Sequence, residues 1–130
     1  MENTVAEQGC EPRLRVLIAE DSPSTRKSLS DICSDLPHLN VVGEAADGFD
    51  AIEAVRNLKP DVLTLDINMP RINGLEVLRI MQREQRECIV IVLTSMADDF
   101  YKQKCRELKA HHVFDKVTEF DGFIKLLKTM

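Results

Sequence analysis

Asp66 is the first residue in the sequence that demands a chemical explanation. It follows Val62, Leu63, Thr64 and Leu65, a short apolar run that reads as a strand buried on both faces. The chain then breaks into the loop Asp66-Ile-Asn-Met-Pro70-Arg-Ile-Asn-Gly74. A carboxylate at the end of a buried strand does not fill core; it needs a charged partner, a metal or a reaction. Three other apolar runs finish on polar groups. Residues 14–19 (LRVLIA) end on Glu20-Asp21, residues 88–93 (CIVIVL) on Thr94, and residues 112–115 on Lys116. Brought together, Glu20, Asp21 and Asp66 would repel one another unless a cation sat between them. Hard carboxylates with few other ligands favour Mg²⁺, which often co-binds phosphate. Lys116 and the Thr94 hydroxyl are then left as donors suited to the oxygens of a transferring phosphoryl group. A carboxylate can itself be the nucleophile and become an aspartyl phosphate. The residue types alone describe a metal-dependent phosphoryl acceptor.

Such a site needs all four strand ends on one edge, and the rest of the chain supplies the elements for that. Ser22-Pro23 reads as a helix cap followed by proline at the first helical position. Leu29, Ile32, Cys33 and Leu36 then form an inward stripe, stopped by Pro37. Residues 40–45 contain a short strand. Asp47-Gly48 turns into a helix with Ala51, Ile52, Val55 and Leu58 on one face, ended by Lys59-Pro60. A third helix follows Gly74, with Leu75, Val77, Leu78 and Met81 inward. The fourth, over roughly residues 98–108, is more polar, with Phe100, Cys105 and Leu108 as its anchors. The last carries Phe120, Phe123, Ile124 and Leu127. Five strands alternating with five helices predict an α/β fold, a parallel sheet with helices on both faces. Ligands in such sheets bind at the carboxyl ends of the strands.

Composition excludes several classes. The chain has 130 residues, enough for one domain with a real core. Its formal net charge is −5, with 17 Lys and Arg against 22 Asp and Glu, and no basic stripe supports direct nucleic-acid binding. No apolar run is long enough to span a bilayer, and the polar N-terminus lacks a signal-peptide core. Cys10, Cys33, Cys88 and Cys105 fit no metal or redox motif and read as reduced thiols of a cytoplasmic protein, Cys10 alone being exposed. His111-His112 reads as a surface loop entering the last strand, since adjacent strand residues point apart.

Glu20-Asp21, Asp66-Ile-Asn-Met-Pro70 with Gly74, Thr94 after an apolar strand, and Lys116 before the last helix stand in the order and spacing of a known family. From about Arg13 to Met130 the chain resembles the receiver domain of two-component response regulators, of the stand-alone, single-domain type. The resemblance implies a flavodoxin-like three-layer sandwich with strand order 2-1-3-4-5, a flexible leader over residues 1–12, a receiver over 13–130 and no output domain. It implies that Asp66 accepts phosphate from a phosphohistidine on a sensor histidine kinase or phosphotransfer protein. Asp21, Asp66 and the Asn68 backbone carbonyl would ligate Mg²⁺, with Glu20 acting directly or through water. Lys116 would bind a phosphate oxygen, and Thr94 would couple its arrival to an effector surface on the fourth helix, last strand and fifth helix. Pro70 and Gly74 would shape the loop, and no enzymatic turnover beyond self-dephosphorylation is expected.

The sequence departs from the family at three places. Val117 replaces the proline usual after the lysine. Val113 replaces the usual aromatic switch residue, with Phe114 next to it. Met96 stands where small or polar residues are common, and is expected to alter the dephosphorylation rate. A receiver acting purely as a binding module, its chemistry dormant, is therefore a second reading. A hydrolase of the haloacid-dehalogenase type would need a general acid at position 68, where Asn68 stands. A flavodoxin would need a phosphate loop where Glu20-Asp21 would repel the ligand.

Overall fold

The computed structural model describes residues 13–130; the leader assigned to residues 1–12 and the exposed thiol expected at Cys10 lie outside the described residues. The elements run β1 (Leu14–Ala19), α1 (Pro23–Ser34), β2 (Leu39–Ala45), α2 (Gly48–Leu58), β3 (Val62–Leu65), α3 (Gly74–Arg83), β4 (Ile89–Thr94), α4 (Asp99–Glu107), β5 (His112–Asp115) and α5 (Phe120–Thr129). Every strand pair is parallel and the order is β2-β1-β3-β4-β5. This is the flavodoxin-like α/β arrangement the sequence predicts.

Alternation along the strands sorts the core into two halves. Leu17, Ala19, Leu63, Leu65, Val90 and Val92 face α2, α3 and α4 through Ala51, Ile52, Val77, Leu78 and Cys105. Val16, Ile18, Val62, Ile91 and Leu93 face α1 and α5 through Leu29, Cys33, Phe123 and Leu127. Three layers result, with the central strands dry on both sides.

Helix starts follow local chemistry. The Ser22 hydroxyl accepts from the Thr25 N–H, with Pro23 at the first turn. Asp47 caps α2 through the Asp50 N–H, and Asn73 caps α3 through the Glu76 N–H. One anchor differs from expectation. Phe100 is 60% exposed. Its neighbour Tyr101 packs on the core with Cys105 and Leu108 instead. Tyr101 and Cys105 lie four residues apart on one face of α4, and Phe100 falls outside that stripe. No helix among the described residues is long and apolar enough to cross a membrane.

Candidate functional site

The sheet's hydrogen-bond ladder continues past the strands and so fixes the residues that follow them. The Glu20 N–H donates to the Ala45 carbonyl at 2.9 Å, and the Asp66 N–H donates to the Ala19 carbonyl at 3.1 Å. On the far side of β4, the Lys116 N–H donates to the Thr94 carbonyl at 3.0 Å. Backbone pairing thus delivers side chains from four strand ends to one edge, as the sequence requires.

There, one oxygen from each of Glu20, Asp21 and Asp66 lies within 4.8 Å of the others. Glu20 is only 1% exposed and Asp66 3%, while Asp21 faces solvent. Lys116 Nζ lies 2.8 Å from Glu20 Oε1 and 3.0 Å from Asp66 Oδ2. The remaining carboxylate oxygens are also used. Glu20 Oε2 accepts from the Ser22 N–H at 3.0 Å, and Asp66 Oδ1 accepts from the Asn68 N–H at 3.1 Å.

Burial pushes the Glu20 carboxyl above its ordinary value; the Lys116 and Ser22 hydrogen bonds oppose this and the Asp66 charge adds to it. Burial acts to lower Lys116, but its hydrogen bonds to Glu20 and Asp66 outweigh burial and hold the ammonium above its ordinary value. One ammonium balances one carboxylate of three, so negative charge remains in excess. Clustered hard oxygens with excess negative charge fit a small divalent cation, which Glu20, Asp21 and Asp66 could hold.

The loop after Asp66 is shaped as much by its glycine as by its proline. The Gly74 N–H donates to the Ile67 carbonyl at 2.8 Å. A Cβ on Gly74 would sit 2.5 Å from the Asp66 carbonyl oxygen and 2.6 Å from Ile67 Cα. Only a hydrogen fits there, so α3 begins hard against the backbone that carries Asp66. The Pro70 carbonyl accepts from Ile72 N–H at 2.8 Å. A Cβ on Gly48 at the start of α2 would press still harder, against the Ile72 carbonyl. The sequence reading gave Gly48 a turn and missed this second contact.

Thr94 is fully buried, and its Oγ1 accepts from the Met96 N–H at 3.1 Å, leaving its own proton free to be donated. Val113 lies opposite Val92, and Asp115 opposite Thr94, so Val113 and Thr94 share the α4 face of the sheet. Phe114 points to the other face, in a T-shaped contact with Phe123, 6.1 Å between centroids. Phe114, the aromatic next to the usual switch position, therefore does not face Thr94, because a one-residue step along a strand reverses the face. Met96 is half-buried against the α4-side core.

One residue beside the site was not foreseen. An Arg26 guanidinium nitrogen donates to the Glu20 carbonyl at 2.8 Å and lies 3.5 Å from that of Asp21, while its Nε lies 3.4 Å from Glu44. It staples the acidic turn to the end of β2. A basic residue in the first turns of a helix ordinarily signals a solvated face, so only its spacing from the acidic pair could have marked it. A groove of about 890 Å³ among the strand starts, near Leu14, Met81 and Cys88, lies at the opposite edge and involves none of these residues.

Comparisons with known proteins agree with this geometry. The family described as response regulator receiver domain matches residues 16–128. Among characterised proteins, the protein-glutamate methylesterase/protein-glutamine glutaminase of Pyrococcus abyssi is 45% identical over 80 residues, which are 62% of this chain and 22% of that protein. Methylesterase 4 of Myxococcus xanthus is 45% identical over 86 residues, 66% of this chain and 24% of that one. This chain thus spans about a quarter of the length of the relatives it matches. Among solved structures, the response regulator domain of Thermotoga maritima CheB has a TM-score of 0.80 at 30% identity, covering 91% of this chain and 98% of that one. A chain of the CheX-CheY-BeF₃-Mg²⁺ complex from Borrelia burgdorferi has a TM-score of 0.81 at 26% identity, covering 91% of this chain and 89% of that one. With the family match running from β1 into α5, and solved receivers following the same path, this protein belongs to the response regulator receiver domains.

Proposed function

We propose that Asp66 accepts a phosphoryl group from a phosphohistidine on a sensor histidine kinase or histidine phosphotransfer protein. The single observation that carries this is Lys116 Nζ within 3.0 Å of both Asp66 and Glu20, in a cluster whose three carboxylates outnumber it. An Asp66 oxygen attacks phosphorus, the P–O bond forms, and the P–N bond breaks with its electron pair returning to the imidazole. Glu20, Asp21, Asp66 and the Asn68 carbonyl would hold Mg²⁺, which when bound supplies positive charge for the phosphoryl oxygens. Lys116 releases Asp66 to donate to one of those oxygens, and the Thr94 hydroxyl donates to another. Glu20, freed of its partner, would be available to help hold the cation.

The modification replaces a carboxylate with a larger, more highly charged group. Thr94 moving toward it would leave space on the α4 side of the sheet. Effector affinity would then change on the surface formed by α4, β5 and α5. The protein is read as a switch without substrate turnover apart from loss of its own phosphoryl group to water, at a rate set in part by Met96. A cytoplasmic location belongs to this reading and accords with Cys33, Cys88 and Cys105, which form no disulfide among the described residues.

Incubation with acetyl phosphate and Mg²⁺ should add one phosphoryl group, read by intact mass, that is lost in Asp66→Asn or on chelation. A folded, Mg²⁺-loaded protein that takes up no label would reject the proposal. The second reading, a binding module with dormant chemistry, is favoured by one observation: no aromatic side chain of β5 shares the face of Thr94. It would be supported by partner binding that is equal in wild type and Asp66→Asn.

A further inference from the structure

Lys116 must reach two buried carboxylates from a segment that packing does not hold. Val117, next to it, is 83% exposed, and Thr118 also faces solvent. Beyond the Lys116 N–H bond to the Thr94 carbonyl, what fixes the segment is a pair of carboxylates. Asp115 Oδ1 accepts from the Val117 N–H at 2.8 Å and from the Thr118 N–H at 3.0 Å. Glu119 Oε1 accepts from the Asp115 N–H at 2.9 Å and lies 3.2 Å from Lys102 Nζ on α4. The Glu119 N–H donates to the Asp115 carbonyl at 3.0 Å, closing the turn around Lys116.

An ordinary helix cap does not explain Asp115. Its two N–H partners precede α5, which begins at Phe120, and the residue at the cap position, Glu119, makes no capping bond of its own. The Val117 N–H is a donor that proline lacks. In a receiver with proline after its lysine, this bond cannot form; here the valine makes it available and Asp115 takes it.

We propose that Asp115 is a positioning residue for Lys116, its carboxylate holding the turn through the Val117 and Thr118 N–H groups. The claim rests on the phosphoacceptor reading for its consequence in phosphoryl transfer. The Thr118 and Val117 N–H bonds also hold Asp115 below the ordinary carboxylate range, so the accepting form is the one present at neutral pH.

The test uses the whole chain in four forms: wild type, Asp115→Ala, Asp115→Asn and Lys116→Ala. Two readouts are followed, the labelling rate with acetyl phosphate and Mg²⁺, and the ¹⁵N-detected signal of the Lys116 ammonium. Asp115→Ala should slow labelling about tenfold, approaching Lys116→Ala, and broaden or shift the ammonium signal. Asp115→Asn keeps the accepting oxygen and should restore both. Mg²⁺ affinity, measured by titration, should change less than about twofold in either Asp115 variant, since neither removes a proposed ligand. Labelling and an ammonium signal unchanged in Asp115→Ala would overturn the proposal, as would an Asp115→Asn variant as slow as Asp115→Ala. If wild type itself takes no label, the phosphoacceptor reading fails separately, and the ammonium signal alone still decides whether Asp115 positions Lys116.

Discussion

Gly74 leaves no room for a Cβ beside the carbonyl of Asp66, and that lack of room sets what a single methyl group would do. In Gly74→Ala the new Cβ meets the Asp66–Ile67 backbone, so the Asp66 turn must move. We expect a stability loss of about 1–3 kcal/mol by denaturant titration. Labelling should slow about tenfold or more, because the strand end carrying Asp66 is displaced. Thr64 presents the opposite case. Its Oγ1 is buried with no hydrogen-bond partner among the described residues, on the face of β3 that also carries Val62. Thr64→Val keeps the shape and removes the stranded hydroxyl, and should raise unfolding free energy by about 1 kcal/mol with labelling unchanged. Asp66, Glu20, Asp21 and Lys116 were legible in the sequence because a charged group closing an apolar strand is rare. Arg26 and Asp115 were not, because their roles depend on backbone atoms brought close only by the turns themselves.

The helices differ in how firmly they are anchored. Leu75, Val77, Leu78 and Met81 bury α3, whereas Cys105 is the only fully buried residue of α4. Amide exchange in α4 should therefore be measurably faster than in α3, checked by mass spectrometry of peptides from each. That difference places the least anchored helix on the face shared by Thr94 and Val113. The strands were read from sequence within a residue or two, since continuous apolar runs between turn residues leave little choice. The phase of α4 was misread because Phe100 and Tyr101 are adjacent aromatics and few other apolar positions choose between them. Phe100 instead lies 5.7 Å from Lys104 Nζ and edge-on to Tyr101 at the surface.

Across the whole molecule, α2 and the end of α3 are joined by charge as well as by packing. Glu84 pairs with Arg56 and Arg86, and hydrogen bonds from those two hold its carboxyl down from 4.5 to about 2. A carboxylate depressed in the folded state stabilises it above the unfolded value, and that contribution disappears as pH falls from 4.5 through about 2. Stability measured against pH should drop more shallowly across that window in Glu84→Gln, and the two proteins should converge at its acid end. The difference is modest, because the pair is solvent-exposed and screened by salt. The sheet itself carries a further consequence through Val113. A β-branched side chain has few rotamers and no ring to swing between pockets. A complete reversal of two states needs about 5.5 kcal/mol of bias, more than a side chain with so few contacts to exchange is expected to supply. Under the proposed phosphoacceptor function this predicts a dimmer, with phosphorylation tilting partner occupancy by degrees, where an aromatic at position 113 would throw a toggle.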